Sequence, residues 1–209
     1  MNTITTRYRA WLPACWLAAA LVMGGCGANA QRGAAEGGAT GAVAGAVGGM
    51  VSALVFGGNI AEAGARGAVY GGATGATVGA MSGAKVDSAE KARREAERKS
   101  KLEVLERELG PDAYNGIVAL TECKYGVAIA NAEEARRSKN REYALAGIWV
   151  ETLAEMDRDN DTAAAALFET LATQDKSVGT AGDAAVRADE ALKRLRELRV
   201  EYGLSPTCP

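Results

Sequence analysis

The side chains that could do chemistry in this chain are cysteines and clustered carboxylates, because histidine is absent from all 209 residues. A Ser-His-Asp relay, a Cys-His pair and a histidine-bearing zinc site are thereby excluded. Of the four cysteines, Cys15, Cys26, Cys123 and Cys208, Cys123 has no histidine to serve as its base and has a plausible disulfide partner, so it makes a poor nucleophile. One acidic stretch is MDRDNDTAAAALFE, in which Asp157, Asp159 and Asp161 occupy the first, third and fifth places of a calcium loop. Thr162 then stands where the sharp turn needs glycine, and Phe168 where the bidentate glutamate belongs. Asp161 reads better as the N-cap of a helix. Surface acids are too many for a glycosidase pair to be singled out. These residues predict no enzyme, no metal and no cofactor.

Cysteine placement carries more. Arg7 and Arg9 precede the apolar run Ala10 to Met23, too short to span a bilayer comfortably and followed by small residues, as in a secretory signal. Met23-Gly24-Gly25-Cys26 resembles the lipobox of bacterial lipoproteins, with Met at the first position where Leu is usual. That resemblance implies cleavage after residue 25, a diacylglycerol on the Cys26 thiol and a lipidated linker over 26–32. Cys15 then leaves with the signal. Cys123 and Cys208 are the remaining thiols, and in an oxidising compartment they are predicted to pair. The closed loop of about 86 residues would be credited with ~4–5 kcal/mol by chain entropy, and ~2–4 kcal/mol is the usual yield. Losing Arg7 and Arg9 leaves 22 basic against 26 acidic residues, a mature charge of −4. Interleaved signs of this kind give no footprint for nucleic acid.

What must position these groups is helix. Ala, Leu, Glu, Arg and Lys dominate after Gly83, only 11 residues are aromatic, and the alternation of a strand is nearly absent. Before Gly83 the chain is glycine-rich with a strict period. GAAEGGATGAVAGAVGG (33–49) and GAVYGGATGATVGAMSG (67–83) match at 11 of 17 positions at an offset of 34. The stripe Gly33, Gly37, Gly41, Gly45 and Gly49 is predicted to face Gly67, Gly71, Gly75, Gly79 and Gly83 across an antiparallel hairpin. Each glycine costs a helix about 1 kcal/mol relative to Ala, and close backbone approach is what can repay it. Val43, Val47, Met50, Val51, Leu54, Val55 and Phe56, with Val69, Tyr70, Val78 and Met81, read as the apolar exterior of that hairpin. FGGNIAEAGAR (Phe56–Arg66) reads as its turn. No Gly-x-x-x-x-Gly-Lys-Ser/Thr phosphate loop occurs.

Residues 84–110 read as a charged helix, with eight basic and seven acidic side chains between Lys85 and Glu108. Glu90/Arg94, Glu95/Lys99, Glu97/Lys101 and Glu103/Arg107 follow the favourable i, i+4 order, and Gly110-Pro111 ends the segment. Residues 111–209 read as an antiparallel bundle. Its expected seams are Ile117, Leu120, Cys123, Val127 and Ala130; Ala146, Trp149, Leu153 and Met156; Ala164, Leu167, Phe168 and Leu171 on a helix from Asp161 to Gln174; and Ala184, Ala188, Ala191, Leu195, Leu198 and Tyr202. Short polar joints link them.

A lipobox cysteine followed by duplicated Gly-x-x-x-Gly helices resembles the glycine-zipper lipoproteins of Gram-negative outer membranes, a group that includes the rickettsial surface-antigen type. The likeness covers residues 1–84. It implies an α-helical hairpin, membrane association or self-assembly, and no catalytic residues. Gly27 follows Cys26 where Asp would signal inner-membrane retention, so the expected place is the outer membrane, facing the periplasm. The expectation is a structural or scaffolding envelope lipoprotein. It meets membrane lipid through acylated Cys26 and the hairpin, and a second copy or an envelope protein is its expected partner. An oligomeric pore or transport component, and a peptide-binding helical adaptor, are the alternatives.

Overall fold

The computed structural model describes residues 28–79, 96, 100 and 103–208, with side chains at 39–68, 71, 96, 100 and from 103 onward. Every regular element among the described residues is a helix, so the fold is all-α.

Helices α1 (Ala28–Phe56) and α2 (Ile60–Gly79) form an antiparallel hairpin. The turn is only Gly57-Gly58-Asn59, with Gly57 at φ 80° and Gly58 at φ 148°, backbone that side-chain-bearing residues rarely adopt. Asn59 then caps α2, its Oδ1 accepting from the Glu62 N–H at 2.9 Å. This shortens the turn expected over Phe56–Arg66. Glu62 and Arg66 are polar because they lie one helical turn apart on the exposed side of α2, where they pair at 2.6 Å.

Residues 103–109 are helical (α3) and stop at Gly110-Pro111, Gly110 at φ 85° donating to the Glu106 carbonyl at 2.8 Å. Of the four predicted i, i+4 pairs only Glu103/Arg107 falls wholly within the described residues, and there Arg107 Nε donates to the Glu103 carbonyl at 3.1 Å. This end of the charged segment is packed on one side. Leu109 is fully buried, Leu105 sits over Gly48, and Ser52 Oγ donates to Glu108 at 3.4 Å.

The bundle follows as α4 (Pro111–Thr121), α5 (Tyr125–Arg136), α6 (Arg141–Asp157), α7 (Asp161–Gln174) and α8 (Ala181–Glu201). Asn140 caps α6 through bonds from the Glu142 and Tyr143 N–H groups, and Thr180 caps α8 through one from Asp183. At α7 the cap is Asn160, whose Oδ1 accepts from the Ala163 N–H, so Asp161 is the first helical residue and not the cap. One expected seam is also two helices. Cys123 lies at φ 61° in the break between α4 and α5, resetting the helical phase. Ile117 and Leu120 are buried, but Val127 is 52% exposed and α5 instead buries Ala128, Ala132 and Ala135. The remaining seams match: Trp149, Leu153, Leu171, Ala184, Ala188, Ala191 and Leu195 are wholly enclosed, and Met156 and Phe168 half-buried.

The hairpin does not stand apart from this bundle. Val43, Val47, Met50, Val51 and Leu54 have no exposed surface and join the core that holds Ile117, Trp149 and Leu195. The expected apolar exterior of α1 is therefore an interior, with only Phe56, at the tip, 51% exposed. The reason is geometric: positions 43, 47, 50 and 54 run along the side of α1 opposite Gly41, Gly45 and Gly49. Burial of each such side chain is worth about 1.5–3 kcal/mol, more than a glycine costs the helix. Val69, Tyr70 and Val78 fall among side chains not described, and Met81 lies outside the described residues.

Candidate functional site

Two places bring the sequence-selected residues together, the glycine seam and the end of the bundle where the cysteines meet. At the seam α1 and α2 touch backbone to backbone. A Cβ built on Gly71 would lie 2.8 Å from the Gly41 carbonyl carbon and 2.9 Å from the Gly45 Cα. One built on Gly45 would meet the Gly71 Cα at 2.8 Å, and on Gly49 the Ala63 carbonyl carbon at 2.9 Å. Gly67 packs equally close on Gly45 and Ala46. The register thus sets Gly41, Gly45 and Gly49 against Gly71, Gly67 and Ala63. Gly33, Gly37, Gly75 and Gly79 lie on the helical backbones of α1 and α2, while Gly83 and Cys26 lie outside the described residues. The seam also uses Gly64, close against Met50, which stands outside the period-four stripe. A count of every fourth residue passes over it.

At the other place the structure joins Cys123 to Cys208, with Cα atoms 5.5 Å apart and a sequence separation of 85. Beside them is an ion pair that sequence reasoning missed. Asp157, last residue of α6, and Arg199, near the end of α8, have side chains 0% and 1% exposed, joined at 2.7 Å. Arg199 also donates to the Leu120 carbonyl at 3.0 Å and, weakly, to Pro206 at 3.4 Å. Arg196 lies 3.4 Å from the other Asp157 oxygen, and the Tyr125 hydroxyl donates to Asp157 Oδ2 at 3.0 Å. Enclosing two charges is costly unless each is paired and hydrogen-bonded, and here Asp157 collects donors from α5 and α8. Burial first, then the Asp157 carboxylate, push the Tyr125 hydroxyl up to about 12. Burial and Glu106 likewise raise Tyr114. The only sequence signal for the pair was an aspartate and an arginine each at helical spacing from core residues.

The other polar cluster fastens the hairpin. Trp149 donates its indole N–H to Asp175 at 3.0 Å, Asp175 accepts from the Ser177 hydroxyl at 2.7 Å, and Arg187 donates to Ser177 at 2.8 Å. Arg187 also lies over the Trp149 ring, 5.7 Å from its centroid, and reaches the Leu54 carbonyl at 3.3 Å. A cation on a last-turn carbonyl of α1 is where the helix dipole favours it.

Asp157, Asp159 and Asp161 do not converge: the first is in the buried pair, Asp159 is at φ 59° in a turn, and Asp161 opens α7. No group of three candidate metal ligands occurs among the described residues. Comparison with family models, curated proteins and solved structures finds no match. The glycine-zipper lipoprotein resemblance therefore stands on its residues alone.

Proposed function

We propose that this chain is a non-enzymatic lipoprotein of the bacterial outer membrane, held by acyl chains on Cys26, whose glycine-zipper hairpin is built into a periplasmic helical scaffold. The observation that carries this reading is the seating of α1. One side of it meets α2 through glycine and the opposite side is enclosed by the bundle. The stretch Ala39–Phe56 is apolar and long enough to cross a bilayer, yet 67% of it is buried inside the protein. A helix so occupied has little surface left for lipid or for lining a pore. Membrane attachment then falls to Cys26, where more than one acyl chain is needed for firm anchoring. A disulfide closing the bundle suits an oxidising compartment.

The test is metabolic labelling with a radiolabelled fatty acid, followed by alkaline extraction of membranes, for wild type and Cys26→Ser. This reading expects the label to be lost and the variant to move to the soluble fraction. Equal labelling would remove the anchor, and a variant that stays in the membrane would mean the hairpin itself inserts.

A further inference from the structure

The segment after α8 is a strap whose attachment differs from that of any helix in the bundle. α8 ends with the Gly203 N–H bonded to the Val200 carbonyl at 3.0 Å and the Leu204 N–H to Arg199 at 2.7 Å, with Gly203 at φ 74°. α4 ends in the same way, Cys123 donating to Leu120 at 3.1 Å and Lys124 to Ala119 at 2.9 Å. There the left-handed position is held by Cys123, where glycine would carry no steric cost. Residues 203–208 then run across the end of the bundle that contains the buried pair. The Pro206 carbonyl accepts from Arg199, and Cys208 Sγ lies 4.0 Å from Asp157 Oδ2, a contact without a proton because the sulfur is in a disulfide. Arg199 Nε beneath the strap has no partner. Gly203, Ser205, Pro206 and Thr207 are exposed, and only Leu204 packs on the core. Pro206 also forms one wall of a groove of about 710 Å³ along α8, with Leu192, Arg196 and Val200.

We propose that this strap is a redox latch: a dithiol reductant opens Cys123–Cys208, the strap lifts from the Asp157–Arg199 pair, and the groove along α8 loses its Pro206 wall while the helices stay packed. One thiolate of the reductant attacks either sulfur and forms a mixed disulfide, and its second thiol resolves this. The reductant leaves as a disulfide, and its two electrons and two protons remain on Cys123 and Cys208 as thiols. Both cysteines are partly exposed, so the bond is open to attack. The strap can separate because, among the described residues, every fully buried side chain belongs to residue 199 or earlier. Its remaining hold is Leu204, two helix-end bonds and one long bond to Arg199. Once it is gone, water supplies the acceptor that Arg199 Nε lacks.

Hydrogen exchange on the full chain, before and after dithiothreitol and again after reoxidation, tests this. Exchange over 199–208 should speed at least about tenfold on reduction and recover on reoxidation, with α6 and the middle of α8 keeping their protection. Cys123→Gly, which removes the bond and suits the left-handed turn, should reproduce the reduced pattern without reductant. Unchanged exchange at the strap in either case would overturn the latch. So would a loss of protection throughout the bundle in both, since the bond would then be holding the whole fold.

Discussion

Gly71→Ala is the sharpest probe of the hairpin. The new Cβ would stand 2.8 Å from the Gly41 carbonyl carbon and 2.9 Å from the Gly45 Cα, and closer still to the Gly41 oxygen, where real contacts lie at 3.4–4 Å. All of these are backbone atoms, so no side chain can rotate away. α1 cannot retreat either, because Val43 and Val47 on its far side are already enclosed. The helices must part by roughly 1 Å, and a gap of about 0.5–1 Å forfeits a quarter to a half of each dispersion contact along the seam. Overpacking of this kind costs about 1–3 kcal/mol, against a gain of about 1 kcal/mol from replacing glycine in a helix. The net expectation is a loss of about 0–2 kcal/mol. Gly126→Ala is the control: it is helical with nothing within 4 Å of the added carbon, so only the helix gain of about 0.5–1 kcal/mol applies. For a chain of 209 residues, at about 2–4 °C per kcal/mol, thermal melts followed by circular dichroism should place Gly71→Ala about 1–12 °C below Gly126→Ala. If Gly71→Ala melted above wild type by the same step as Gly126→Ala, backbone contact between α1 and α2 would be refuted.

Two further outcomes concern the end of the bundle. Asp157→Asn strands the Arg199 guanidinium, 1% exposed, without its counter-ion, and should lower stability in urea by about 3–5 kcal/mol; a loss below about 1 kcal/mol would mean the pair is hydrated. Tyr125 gives a pH signature: in the unfolded chain its hydroxyl ionises near 10, in the folded protein at about 12. Between those values the unfolded state has released a proton the folded state retains, so stability falls as pH rises from 10 towards 12. Tyr125→Phe should flatten that limb, and an identical slope in the variant would show that the hydroxyl is free.

Helix, hairpin and the enclosed stripes of α6, α7 and α8 were readable because each rests on a local period that tertiary packing does not override. The cysteine pairing was reached by elimination of the other thiols. Three things were not readable, each for a physical reason. A left-handed residue is normally announced by glycine, and Cys123 fills that place without the signal, so a helix break was read through. Val43, Val47 and Met50 were read as an exterior and are an interior, since lipid and a protein core ask for the same side chains. The pairing of Asp157 with Arg199 depends on two helix ends converging over 42 residues, which no spacing rule reaches.

The two helices of the hairpin carry near-equal glycine repeats and end in unequal circumstances. α1 is wedged between neighbours on both flanks, while α2 presents Ala61, Glu62, Ala65 and Arg66 to solvent. A drift in sequence that the outer helix absorbs would jam the inner one. Tolerance to change should therefore be lopsided within a segment whose letters look symmetrical.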